Sequence, residues 1–178
     1  MLLRQPASIQ HQGRKLWCHG NRELLNERLH GILCSRACPG EKIIEAIDLA
    51  QRWRAENRAI VSGFHTPVEK ECLRIFLRGP QHIVICPARG LDPFRLPTEW
   101  QQKFKRGELL IISPFDSSIR RPTKENRRDS HTSCSFTRSI QNNYSRFTWR
   151  FFTSTDCLRS LKFGFRSKQF AGRTAISI

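Results

Sequence analysis

No run of apolar residues in this 178-residue chain approaches the roughly 18 that a transmembrane helix needs. The start offers only Leu2-Leu3 before Arg4, far short of the apolar core of a secretory signal. The expectation is therefore a soluble, cytoplasmic protein with no membrane partner. Acidic side chains are scarce as well: 15 Asp plus Glu stand against 31 Lys plus Arg, a formal net charge of +16. That imbalance points to a polyanionic partner, nucleic acid before membrane. Neither GxGxxG nor a Walker A sequence occurs, which argues against classical dinucleotide and P-loop binding. The seven cysteines match no zinc-ribbon or finger spacing. Cys34 and Cys38, with Cys18 and His19 upstream, form the one grouping that invites a metal, but buried, reduced thiols are the expectation, with no metal and no cofactor. The length suits a single domain with a real core.

The chain changes character near Asn126. Residues 127–178 hold ten Lys or Arg, two acids (Asp129 and Asp156), fifteen Ser or Thr, seven of the twelve Phe, and neither Glu nor Val. Half of the net charge lies in this last third, which shows no sustained periodicity. A basic arm interleaved with aromatics is one reading, because that composition binds single strands by phosphate contact and base stacking. A segment read in a shifted frame gives the same patternless mixture, and a non-native or disordered tail is the expectation. The Gln-rich residues 1–15, without an acid, read as a disordered start.

Between these ends the pattern alternates. Gly31-Ile32-Leu33-Cys34 reads as a strand, followed by a loop to Gly40 and an amphipathic helix with Ile43, Ile47, Ala50 and Arg54 on one face, Ile44 and Trp53 beside it. Ala59-Ile60-Val61 is the next strand. Thr66-Pro67-Val68-Glu69 then supplies an N-cap, a proline at the first helical position and a glutamate at N3, so a helix begins there with Val68, Cys72, Ile75 and Phe76 as its buried stripe. Strands at 81–86 and 108–112 and a short helix around Glu99 to Phe104 complete the alternation. Continuously apolar strands separated by helices imply a parallel sheet with helices on both faces and right-handed crossovers. Ligands of such sheets sit at the carboxyl ends of the strands, where three loops carry Gly with Ser, Thr or Arg: Ser35 to Gly40, Ser62 to Thr66, and Pro87 to Leu91.

Ordered motifs across residues 16–126 resemble the DNA-processing protein A family (DprA/Smf). Leu16-Trp17-Cys18-His19-Gly20-Asn21 is similar to its "L-aromatic-x-x-G-N" element. Gly31-Ile32-Leu33-Cys34-Ser35-Arg36 is similar to the strand ending in "G-S/T-R", with Cys34 in place of Gly. Ile60-Val61-Ser62-Gly63 resembles the "V-V-S-G" motif, although Phe64-His65-Thr66-Pro67 departs from its continuation. The segment Ile83 to Asp92 is similar to the strand and "G-L-D" loop that follow, and Leu109 to Phe115 with Arg120-Arg121-Pro122 to the later "L-L-S-E-x-P" segment. The family's next motif, expected after Pro122, is absent, which implies a partial Rossmann-like domain over 16–126, incomplete at its C-terminal part, and an activity lost if the gene is truncated or frame-shifted.

The resemblance implies a non-enzymatic protein that binds single-stranded DNA in DNA processing, recombination or natural transformation, dimerises, and hands DNA to a recombinase. It also implies that Arg36 contacts phosphate, with Ser35, Ser62 and Gly63 shaping the site. Gly40, His65, Thr66 and Arg89 complete the candidate set by position in the same loops. Each has a plainer reading: a solvated arginine, a polar turn residue at His65, a cap at Thr66. Lys70, a cation in a first helical turn, points either to a local anion or to solvent exposure. The alternative function is a nucleotide-binding or nucleotide-sensing Rossmann-like protein. The related "lonely guy" phosphoribohydrolases need a "P-G-G-x-G-T-x-x-E" loop that does not occur here.

Overall fold

The computed structural model describes residues 1–11 and 14–121 and two further strand segments, 148–152 and 176–177. Its strands are β1 (Leu2–Leu3), β2 (Ala7–His11), β3 (Arg14–Gly20), β4 (Leu29–Cys34), β5 (Ala59–Ser62), β6 (Ile83–Ile85), β7 (Phe94–Arg95), β8 (Leu109–Ser113), β9 (Thr148–Phe152) and β10 (Ile176–Ser177). The helices are α1 (Gly40–Ala55), α2 (Pro67–Leu77) and α3 (Thr98–Lys105), with a 3-10 turn at Arg22–Asn26.

Eight strands form one mixed sheet in the order β10-β9-β4-β5-β6-β8-β3-β2, and β1 pairs separately with β7. Strands β9, β4, β5, β6 and β8 run parallel, while β3, β2 and β10 are antiparallel additions at the two sides. This is the expected α/β, Rossmann-like class, but the sheet is mixed, not wholly parallel, and among the described residues the α-helices pack on one face, not on both.

Period-two alternation divides the strand residues between two cores. Ile32, Cys34, Ile60, Ile83, Ile85, Leu109 and Ile111 pack with the helices, whereas Leu33, Val61, Val84, Cys86, Leu110 and Ile112 face the opposite side with Leu16, Cys18 and Leu24. Both sets are buried, which is why these strands read as continuous apolar runs. Residues of all three α-helices join the first core; the described residues give the second face the 3-10 turn instead of an α-helix.

Three further expectations change. Residues 1–15 are not a disordered start: β2 and β3 pair from Ala7↔Cys18 to His11↔Arg14, and β1 pairs with β7 through Leu3↔Phe94. Within the segment read as irregular, β9 lies parallel to β4, from His30↔Thr148 to Cys34↔Phe152, and β10 follows it; the rest of 127–178 is outside the described residues. On α1 the buried stripe is Ala46, Leu49, Ala50 and Trp53, while Ile43 and Ile44 are exposed. Close packing against α2 selects the small residues: Ala46 and Ala50 are wholly buried, and the Cys72 thiol donates to the Ala46 carbonyl at 3.8 Å.

The "L-aromatic-x-x-G-N" element is structural. Leu16 and Cys18 point into the second core and Trp17 packs against the first. Gly20 has φ +104, and a Cβ there would lie 2.2 Å from the Leu109 carbonyl oxygen, so glycine is required. Asn21 caps the 3-10 turn by accepting the Glu23 N–H at 3.0 Å and donates to the Gly107 carbonyl at 3.1 Å. His19 Nε2 lies 3.1 Å from the Leu91 carbonyl, joining β3 to the loop after β6.

Candidate nucleic-acid interface

The parallel strands place β4 with β5 on one side and β9 on the other. The chain builds outward from β4 through β5, β6 and β8, then adds β9 on the opposite side. Such a reversal is the topological switch point where open α/β sheets bind ligands. The loop from Ser35 to Gly40 emerges there. Ser35 Oγ accepts the Ala37 N–H at 3.3 Å, and Arg36 is exposed. The residue preceding α1 is Pro39, with no side-chain cap, and a Cβ on Gly40 would meet nothing within 4 Å. Among the described residues no side chain caps this 16-residue helix, whose N-terminal N–H groups and positive dipole end favour an anion.

The loop after β5 is built differently. Ser62 is buried; its hydroxyl donates to the Ile32 carbonyl at 2.8 Å and accepts the Phe64 N–H at 3.3 Å. Thr66 caps α2, accepting the Glu69 N–H at 3.3 Å, and the anticipated capping box is complete. Glu69 does more than close that box. Its wholly buried carboxylate accepts the N–H groups of His65 at 2.7 Å and Thr66 at 3.2 Å on one oxygen, and that of Cys34 at 2.9 Å on the other. One side chain therefore ties the end of β4 to the loop after β5. Burial pushes the Glu69 carboxyl up, against the lowering pull of these donors. Ser62 and Thr66, expected to face phosphate, have their polar atoms committed to the scaffold. Phe64 holds φ +50 in this loop, a conformation that a bulky side chain rarely adopts.

Beside this loop, at the carboxyl ends of β5 and β6, lies a cleft of about 480 Å³. Its charged lining is four basic residues, Lys70 and Arg74 from α2, Arg89 and Arg95, against the single acid Glu99. Arg74 pairs with Glu71; among the described residues Lys70, Arg89 and Arg95 have no ion-pair partner. The Arg89 guanidinium lies 4.8 Å from the centre of the Phe94 ring, and Trp100 stacks near-parallel to Phe94 at 6.4 Å and 27°. The Arg89 carbonyl accepts the Ser113 hydroxyl at 2.7 Å, and a Cβ on Gly90 would lie 2.2 Å from the Asp116 carbonyl oxygen, so that loop packs tightly on residues after β8.

Of the expected site residues, Gly63, His65 and Arg89 share this cleft. The His65 ring lies across Gly63, where a Cβ would come within 2.4 Å of Nε2. Ser35, Arg36 and Gly40 stand on the separate loop after β4. The sequence did not single out Arg74, Arg95 or Trp100; Lys70, read as facing either a local anion or solvent, is exposed and lines the cleft. The signal lay in Lys70 and Arg74, four apart on one helix face.

Cys34, Cys72 and Cys86 are buried thiols. Burial pushes the Cys72 and Cys86 thiols up to about 12, and the Cys34 thiol upward too, with the Glu69 charge adding to it. Among the described residues no three His, Cys, Asp or Glu side chains gather as a metal site requires.

The chain is thus an α/β protein with a basic, aromatic-backed cleft at the strand ends of an open sheet. Solved structures make the fold more particular. The chain is similar to DNA processing protein A from Helicobacter pylori, a protein with a described single-stranded DNA binding mode, at 19% identity and a TM-score of 0.55, over 77% of this chain and 66% of that one. It is also similar to DNA processing protein A (DprA) from Streptococcus pneumoniae, at 20% identity and a TM-score of 0.51, over 71% of this chain and 42% of that one. The chain thus has a DprA-like fold and spans less than two thirds of either structure's length. No family model and no curated protein matches it.

Proposed function

We propose that this chain binds single-stranded DNA along its strand-end face, in a DprA-like role in DNA processing, and catalyses no reaction. The observation that carries the reading is the cleft, whose four basic side chains face one acid in a DprA-like fold. The open α1 N-terminus and Arg36 extend the same basic face to the switch point. Phosphates bind such a surface by charge and by helix N–H groups, and the low acid content of the chain favours it. Transfer to a recombinase, self-association and a part in transformation belong to this reading through the family resemblance alone.

Fluorescence anisotropy of a labelled single-stranded oligonucleotide tests it. Affinity should fall steeply with salt, and Lys70→Ala or Arg95→Ala should each weaken binding and reduce the salt slope by about one. Absence of binding at low ionic strength would overturn the proposal. The cleft volume also favours a second reading, a single nucleotide as ligand, since about 300–1,000 Å³ is the range of small-molecule pockets. Saturable thermal stabilisation by one mononucleotide, with none by the oligonucleotide, would establish that instead.

A further inference from the structure

We infer that the cleft binds a nucleobase as well as phosphate, and that the Arg89 guanidinium is the platform on which the base stacks. This rests on the proposed binding of single-stranded DNA and specifies how the cleft engages it.

Phe94 is too deeply buried to offer a base its own ring, being 3% exposed. Arg89 lies over that ring, is half-buried, and lines the cleft. An arginine in this position ordinarily pairs with a carboxylate through its in-plane N–H groups. Among the described residues none does so, and no salt bridge joins it to Glu99, the acid that lines the cleft. Its guanidinium sits over the Phe94 ring instead, 4.8 Å from the ring centre. The face turned away from Phe94 then accepts a flat aromatic group, while the N–H edge remains available to an adjacent phosphate.

The support beneath the platform is rigid. Phe94 lies in β7, held by β1 through Leu3↔Phe94, with Trp100 stacked against it. The backbone of Arg89 is fixed by Ser113, and that of Gly90 by the hydrogen bond from its N–H to the Ile119 carbonyl at 2.8 Å. A platform ordered before the ligand arrives avoids the entropy cost of immobilising an arginine on binding. Lys70 and Arg95, in the same cleft, are placed for the phosphates on either side of the stacked base.

The test compares two labelled strands of equal length and charge, one of thymidines and one of abasic sites, bound to the full chain. The thymidine strand should bind about tenfold more tightly, the scale of one stacked base. Arg89→Lys keeps the charge and loses the plane, so it should weaken thymidine-strand binding more than abasic-strand binding and abolish the preference. Retained abasic binding also shows that the variant is folded, and the wild-type ratio decides the matter without it. Equal wild-type affinity for the two strands overturns this inference while the DNA-binding proposal stands. Binding of neither strand overturns both.

Discussion

The loop after β4 and the loop after β5 look alike in sequence: each follows a parallel strand, each carries Ser and Gly, and each leads into a helix. In the structure they are opposites. The second has its serine, its threonine and its helix N-terminus engaged by Ile32, Glu69 and each other. The first leaves α1 without a side-chain cap, Gly40 in open space and Arg36 exposed. A strand-end loop can bind an anion only with groups that the fold has not already engaged. The loop after β5 therefore contributes to the cleft through Gly63 and His65, whereas its Ser and Thr are scaffold.

Substitution at Glu69 should break this contrast most severely. Glu69→Gln sets an amide NH2 against backbone N–H donors and should cost about 2–3 kcal/mol in urea unfolding. The pH dependence carries a sign. Because burial raises the Glu69 carboxyl above its ordinary 4.5, the folded state still holds a proton there that the unfolded state has released. Wild-type stability from this group is fully present below 4.5 and is lost as pH rises through the raised value. Glu69→Gln lacks that slope, so the stability gap between the two proteins should narrow as pH rises.

Ser62→Ala should cost less, about 1–2 kcal/mol, by removing the buried hydroxyl between β4 and β5, with single-strand affinity changed by under twofold. Arg36→Ala should have the smallest effect on stability, within about 0.5 kcal/mol, yet weaken the oligonucleotide complex severalfold. If Ser62→Ala proved the DNA-binding variant and Arg36→Ala the unstable one, the assignment of scaffold and surface would be reversed.

What was legible in the sequence was what local chemistry determines. The capping box at Thr66 to Glu69 is complete within four residues, and β4, β5, β6 and β8 declare themselves because burial on both faces leaves no polar position. The β2–β3 hairpin was not legible: Ala-Ser-Ile-Gln-His carries little pattern, and the β3 strand depends on a ladder to β8 far along the chain. The α1 stripe was misplaced because Ile43 and Ile44 outweigh alanine in hydrophobicity, whereas helix-to-helix approach rewards Ala46 and Ala50. Glu69 was recognised as a capping residue from its neighbours, but its bond to Cys34 joins α2 to β4 and cannot be read from spacing. The cleft draws its charges from α2, the loop after β6, and β7, so no single motif contains it.

The placement of β9 bears on how the chain assembles. β4 hydrogen-bonds to β5, reached after one helix, and to β9, which follows every other parallel strand in the sequence. Until residues 148–152 dock, one side of β4 is an open edge of unpaired N–H and C=O groups, apolar in sequence and free to pair with another chain. Contacts so distant in sequence form slowly. The switch point beside Arg36 thus depends on the pairing most distant in sequence among the parallel strands, and a chain that lacked it would carry an exposed strand edge there.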